Sequence, residues 1–309
     1  MNGKGGHKRI AALLRWGLSL GLLAALLLWA GPGRILAVGR QLDPTWVAVV
    51  VLTSLAQLAL GALNVWLLLR ALQPLAFRDY APAYLVGWGV GLFFPGPLGD
   101  ASQILVLRRQ GRDVAELAAA YLVDKAITLT FLSLVALAGV ARLLPLQALW
   151  QALAAWALLA ALAGGSFWAL ARTPDGPGQI ARAGRFAREL VKELRRLRGR
   201  KRQLLLNLAL TVLKWGVLTV CYLAAFRAVA VALSPGAAAT IPFMSTLVGY
   251  LPISAGGVGI VEWSAVGLFA REGVTEEAVV AVYLLLRAIQ YGLAALLLPW
   301  RPQTADPGD

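Results

Sequence analysis

Four ionisable residues stand where charge is costly. Asp100, Lys125, Glu262 and Arg287 lie within or beside long apolar runs. Lys125 is ten residues into the apolar segment 115–144 and Arg287 eleven into 276–298. At ~1.5 Å of helical rise per residue both would sit about 15 Å deep. Charges at such depth are paired or face water. Asp100 and Glu262 each follow a cluster of helix breakers, at the start of a short apolar segment. A helix N-terminus favours a carboxylate there through its dipole. Two chemistries fit this pattern. The acids and cations can be structural salt bridges. Alternatively, the cations and the open amide ends of half-helices make an anion-binding site suited to phosphate. Lys214, mid-span in 204–233, is a further candidate cation, while Arg227 is placed to snorkel toward the outer interface.

The elements that must position these residues are membrane helices. Of 309 residues 59% are hydrophobic, and the mean hydropathy is +0.71. That is too apolar for a soluble domain, and apolar stretches of ~20 residues recur, so one integral membrane domain over 1–309 is expected. The single cysteine, Cys221, permits no internal disulfide. His7 is the only histidine and lies in the N-terminal tail, which argues against a histidine-built metal site or general base. No cofactor is implied. A metal held by Asp100, Asp124 and Glu262 is conceivable, but nothing in the order of segments brings them together.

Segments long enough to span fall at about 10–30, 44–69, 115–144, 146–171, 204–233 and 276–298. The first has basic residues before it but no convincing cleavage site, and reads as an uncleaved span. Two regions differ. Residues 80–94 and 238–252 are apolar but short, and end in "PGPLG" and "PISAGGVG". Short apolar helices follow at 99–108 and 258–270. Pro95, Gly96 and Gly99 form the first tip, and Pro252, Gly256, Gly257 and Gly259 the second. Such pairs read as re-entrant hairpins, or as two tight hairpins that cross with tilt. The expected fold is therefore all-α and polytopic, with about six full spans and two broken-helix hairpins. The tryptophans, such as Trp46, Trp150 and Trp300, mostly suit span ends.

A shift of 162 residues lays 100–127 over 262–289 with eight of 28 positions identical, among them Ser102/Ser264, Arg109/Arg271, Gly111/Gly273 and Tyr121/Tyr283. The same shift puts Asp100 on Glu262 and Lys125 on Arg287. Repeat 1 runs from about 44 to 144 and repeat 2 from about 204 to 298. Between them, 172–203 carries eleven Lys/Arg against three acids, with Phe186, Leu190, Leu194 and Leu197 at near-helical spacing. A basic run can bind nucleic acid, but between two spans it reads as a cytoplasmic interfacial helix against anionic lipid. Loop charge then puts both termini in the cytoplasm of a plasma membrane protein. "RRQGRD" falls inside and the matching "REGVTEE" outside, so the repeats have inverted topology. Inverted repeats with broken helices are typical of carriers with a midplane site.

The stretches "FFPGPLGDASQ…RRQGRD…YLVDKAI" and "PISAGGVGIVEWSAVGLFAREGV…YLLLRAI" resemble the lysylphosphatidylglycerol synthase transmembrane, or flippase-like, family, the UPF0104 group, over about residues 10–298. Gly256, Gly257, Gly259, Glu262 and Gly273 match its Gly-Gly-x-Gly turn, acid and later glycine. Pro95, Gly96, Gly99 and Asp100 match the first-half turn and acid, and Arg287 a last-span arginine. The chain departs from the family at Gln103 and Val261, where arginines are usual, at Asp124–Lys125 in place of Glu-Arg, and at Thr128 in place of an acid. The resemblance implies movement of an anionic lipid or a polyprenyl-phosphate-linked headgroup between leaflets. The soluble aminoacyl-transfer domain of the full-length synthases has no room in 309 residues, so that activity is not expected. Two other functions compete: an accessory subunit of a lipid or envelope-glycan assembly complex, and a lipid-phosphate enzyme, against which stands the lack of a nucleophile–base set.

Overall fold

The computed structural model describes residues 17, 20–93, 98–143, 145–176, 178–249 and 257–298; the tip residues Pro95, Gly96, Pro252 and Gly256 and the terminal Trp300 lie outside them. No strand occurs among the described residues, which form helices α1 (Leu20–Ala30), α2 (Pro32–Arg40), α3 (Pro44–Leu72), α4 (Phe77–Phe93), α5 (Leu98–Arg109), α6 (Val114–Leu143), α7 (Leu146–Ala171), α8 (Gln179–Arg198), α9 (Lys201–Ala228), α10 (Pro235–Gly249), α11 (Ile260–Phe269) and α12 (Glu276–Leu297). Among these residues α3, α6, α9 and α12 are long and apolar enough to cross a membrane, and α1 with α2 makes a fifth if that bent pair is one span. The helix α7 is 26 residues long.

Local chemistry sets the ends. Asp43 accepts from Thr45 N–H at 2.8 Å ahead of Pro44, and Asp113 accepts from the N–H groups of Ala115 and Glu116 at 2.9 and 3.0 Å. Both are N-caps, and proline is pre-organised for the first helical position. One boundary is corrected and two details are added. Beyond Ala30 the chain leaves the helix for one residue, Gly31 (φ 81°), and resumes as α2 at 78° to α1, since Pro32 cannot donate the bond that would continue α1. The segment expected over 204–233 ends at Ala228, where Val231 N–H closes back on Phe226 O at 2.9 Å. In α8 the buried face is Ala181, Gly184, Ala187, Leu190, Glu193 and Leu197, while Phe186 is exposed. Small residues let α8 lie close to its neighbours α6 and α7, and Arg196 reaches Glu116 of α6 at 2.8 Å. That hydrogen bond, with a second to Glu193, holds the guanidinium pKa above its ordinary value.

Among the described residues the two larger apolar cores each join several helices. One joins α3, α4, α5, α6 and α8 around Leu68, Leu69, Tyr80, Leu117 and Leu197. The other joins α1, α9, α10, α11 and α12 around Leu26, Phe226, Phe269 and Val279. The broadest seam between them is α3 against α9.

The shift of 162 residues also relates hydrogen bonds. Gly111 N–H bonds Arg108 O and Arg112 N–H bonds Leu107 O, and Gly273 N–H bonds Ala270 O and Val274 N–H bonds Phe269 O. Both glycines are left-handed, at φ 78° and 74°, as this helix C-cap requires. Ser102 donates to Gly99 O at 2.7 Å and Ser264 to Val261 O at 2.8 Å.

The helices α4 and α5 pack as one hairpin, and α10 and α11 as another. The open end of the first lies at the start of α6, where Arg112 donates to Pro74 O at 2.8 Å. The open end of the second lies at the far end of α6, where Arg142 pairs with Glu272 and Arg271 donates to Leu143 O at 2.8 Å. The hairpins therefore open at opposite ends of α6.

Candidate functional site

The described parts of the hairpin tips depend on glycine for two different reasons. A Cβ on Gly99 would lie 2.6 Å from Gly87 O and 3.1 Å from Gly91 Cα, so α4 and α5 touch backbone to backbone. In the second tip Gly257 and Gly259 have φ of 72° and 84°, a region that other residues enter at a cost. The turn aims Gly259 N–H at the Glu262 carboxylate, 2.8 Å away, as α11 begins.

Gly91, Gly249 and Gly257 border one cavity of about 460 Å³ between the two halves. Its walls come from α3 (Ser54, Gln57), α4 (Tyr84, Trp88), α6 (Lys125, Thr128), α9 (Lys214, Trp215, Tyr222), α10 (Thr246), α11 (Glu262) and α12 (Tyr283, Arg287, Gln290). Cations from α6, α9 and α12 thus border the same space. Lys125 is eleven residues into α6, Arg287 eleven into α12 and Lys214 thirteen into α9. These offsets place them roughly 16–20 Å along helices that are roughly 33–45 Å long, near mid-height.

Glu262 is 2% exposed and forms a salt bridge with Arg287, through Oε1 and Nε. One carboxylate thus receives a guanidinium on one oxygen and the Gly259 amide on the other. The structural-pair chemistry expected from sequence is present at this couple, and both members also border the cavity. The Lys214 ammonium lies 5.6 Å from the Trp215 ring centroid, within cation–π range.

Of the residues singled out in the sequence, Lys125, Lys214, Glu262 and Arg287 meet at the cavity, with Gly257 at its edge. Asp100 is the third residue of α5; its side chain lies outside those described. Gln103 of α5 accepts hydrogen bonds from Tyr80 of α4 and Tyr121 of α6. Among the described residues no group of three His, Cys, Asp or Glu could hold a metal ion. Arg227 is exposed in the last turn of α9. Trp88 and Trp215 border the cavity instead of a span end; Trp46 and Trp150 are exposed near helix starts, as expected.

Sequence reasoning missed Gln57, Gln290, Thr246 and Tyr222. The glutamines carried a signal, since amides within apolar spans are costly and cluster at functional sites. Asn64 and Asn207, also missed, carry the same signal and hold Asp124 between α3 and α9.

A family model described as "Lysylphosphatidylglycerol synthase TM region" matches residues 16–297. A search of curated proteins found no match.

Proposed function

The chain belongs to the lysylphosphatidylglycerol synthase TM region family, and from that premise we propose that it is a lipid translocase that passes an anionic headgroup through the central cavity without altering it chemically. The headgroup is that of an anionic phospholipid or of a polyprenyl phosphate. The observation that carries the reading is one cavity bordered by both hairpins, which open at opposite ends of α6, and by Lys125, Lys214 and Arg287 from both repeats. A space of about 460 Å³ suits a phosphate-bearing headgroup, while the acyl chains stay in lipid. Cations at mid-height lower the cost of carrying a phosphate across hydrocarbon. In this reading the hairpins re-enter, the repeats are inverted, and alternating access comes from rocking one half against the other.

Purified protein in liposomes should move a fluorescent anionic phospholipid between leaflets. Lys125→Ala and Lys214→Ala should each slow that movement more than tenfold while the protein still folds and inserts. Equal rates in the variants and the parent, or in empty liposomes, would overturn the reading.

The same reading places both termini and α8 in the cytoplasm of the plasma membrane. Arg108 and Ala270 are repeat equivalents and both are exposed. In a Cys221→Ala background, Arg108→Cys should react with an impermeant maleimide only from the cytoplasmic side and Ala270→Cys only from outside. Labelling of both from one side would refute the inverted arrangement. Unlike Gly111 and Gly273, neither position has left-handed backbone, so the substitutions carry no φ strain.

A further inference from the structure

Beside the cavity, at the seam of α3, α6 and α9, we infer a binding site for a sodium-sized alkali cation, built by Asp124, Asn64, Asn207, Thr211 and Thr128. All five residues are at most 3% exposed. Asp124 lies ten residues into α6 and carries its carboxyl group into the apolar interior, yet among the described residues it takes part in no salt bridge. Its Oδ1 instead accepts from two neutral amides, Asn64 Nδ2 at 3.0 Å and Asn207 Nδ2 at 3.1 Å. Asn64 Nδ2 also donates to Thr211 Oγ1 at 2.9 Å, and Asn207 Nδ2 to Asn64 O at 3.1 Å.

This arrangement fixes the amides. An asparagine facing a carboxylate must turn its N–H groups toward it, because its carbonyl would be repelled. The amide nitrogens therefore face Asp124 Oδ1, and the carbonyl oxygens Asn64 Oδ1 and Asn207 Oδ1 are both left buried without a hydrogen-bond partner. Thr128 Oγ1, one turn from Asp124 on the same face of α6, is buried without a partner too. Folded proteins satisfy nearly all such atoms, and each exception calls for an explanation. Among the described residues, three unsatisfied oxygens thus sit on side chains that bond or adjoin a carboxyl group without an ion pair, a set of acceptors that a cation would complete. A water could bridge some of these oxygens but would bring no positive charge to the carboxyl group.

The ligand chemistry narrows the ion. All the available groups are hard oxygens, which suit alkali and alkaline-earth cations. A single carboxylate balances one positive charge, which favours a monovalent ion. Thr128 also borders the central cavity, so ion and headgroup occupy neighbouring spaces. Coupling of the ion to lipid movement rests on the translocase reading; binding of the ion does not.

The test is therefore binding. Purified full-length protein in detergent is moved from choline chloride to sodium chloride at constant ionic strength, with potassium chloride in parallel. Saturable 22Na⁺ binding and a sodium-specific rise in unfolding temperature are expected. Thr128→Val should weaken sodium affinity about tenfold, as for one lost ligand worth ~1.4 kcal/mol. It should leave stability in choline unchanged or higher, because the hydroxyl has no partner to lose. The isosteric Asp124→Asn should abolish the sodium response and still fold. Equal responses to sodium and potassium, a response in neither, or a sodium response that survives both substitutions would overturn the site, whatever the outcome for lipid movement.

Discussion

Arg287→Ala should destabilise the protein by about 3–5 kcal/mol and abolish lipid movement, because it strands a charge inside the second half. Glu262 is only 2% exposed, and without the guanidinium its carboxylate would be left with the Gly259 N–H. The two truncations should be unequal. In Glu262→Ala the stranded group is Arg287, whose side chain is 17% exposed and borders the cavity, so water can reach it. That variant should lose less, even though it also forfeits the bond to Gly259. The informative variant is the double substitution Arg287→Met with Glu262→Gln. It removes both charges and keeps an acceptor for the Gly259 amide, so most of the lost stability should return while movement does not. Thermal unfolding of the two singles and the double gives the coupling. An Arg287→Ala protein as stable as the parent would show that the pair is not a latch on the tip of α11.

Gly99→Leu should have the next largest effect, by steric exclusion in place of charge. A Cβ at Gly99 meets backbone, Gly87 O at 2.6 Å, and backbone cannot swing aside as a flexible side chain can. Overpacking of this kind costs roughly 1–3 kcal/mol or more. Here α4 and α5 would have to part beside the cavity, so movement should be lost as well. Two controls isolate the cause. Gly216 has nothing within 4 Å, and Gly216→Ala should be close to neutral. Gly111 also has open space but a φ of 78°, so Gly111→Ala should show only the conformational cost of roughly 1–2 kcal/mol. If Gly99→Leu behaves like Gly216→Ala, the close approach of the two helices is not needed.

Features that arise from short-range chemistry were legible in the chain before it folds. Apolar runs marked the long helices to within a few residues, because burial in lipid and internal hydrogen bonding act residue by residue. Breakers marked the two hairpins. Gly111 and Gly273 marked matching C-caps, because a left-handed turn selects glycine wherever it occurs. Lys125, Lys214, Glu262 and Arg287 stood out because ionisable groups in apolar spans are rare.

Which of these groups meet is a property of the folded chain and not of any segment. Glu262 and Arg287 are 25 residues apart, and nothing local in the chain specifies that the start of α11 faces the middle of α12. The turn of α1 into α2 is not legible because "AGPGR" permits either a helix end or a sharp bend, and packing against α12 selects the bend. The network around Asp124 was least legible of all. Its partners are 60 and 83 residues away on α3 and α9, and each asparagine alone looks like an isolated polar interruption. Only when three helices close on one another does the carboxylate orient both amides, and only then do the oxygens left over define a site.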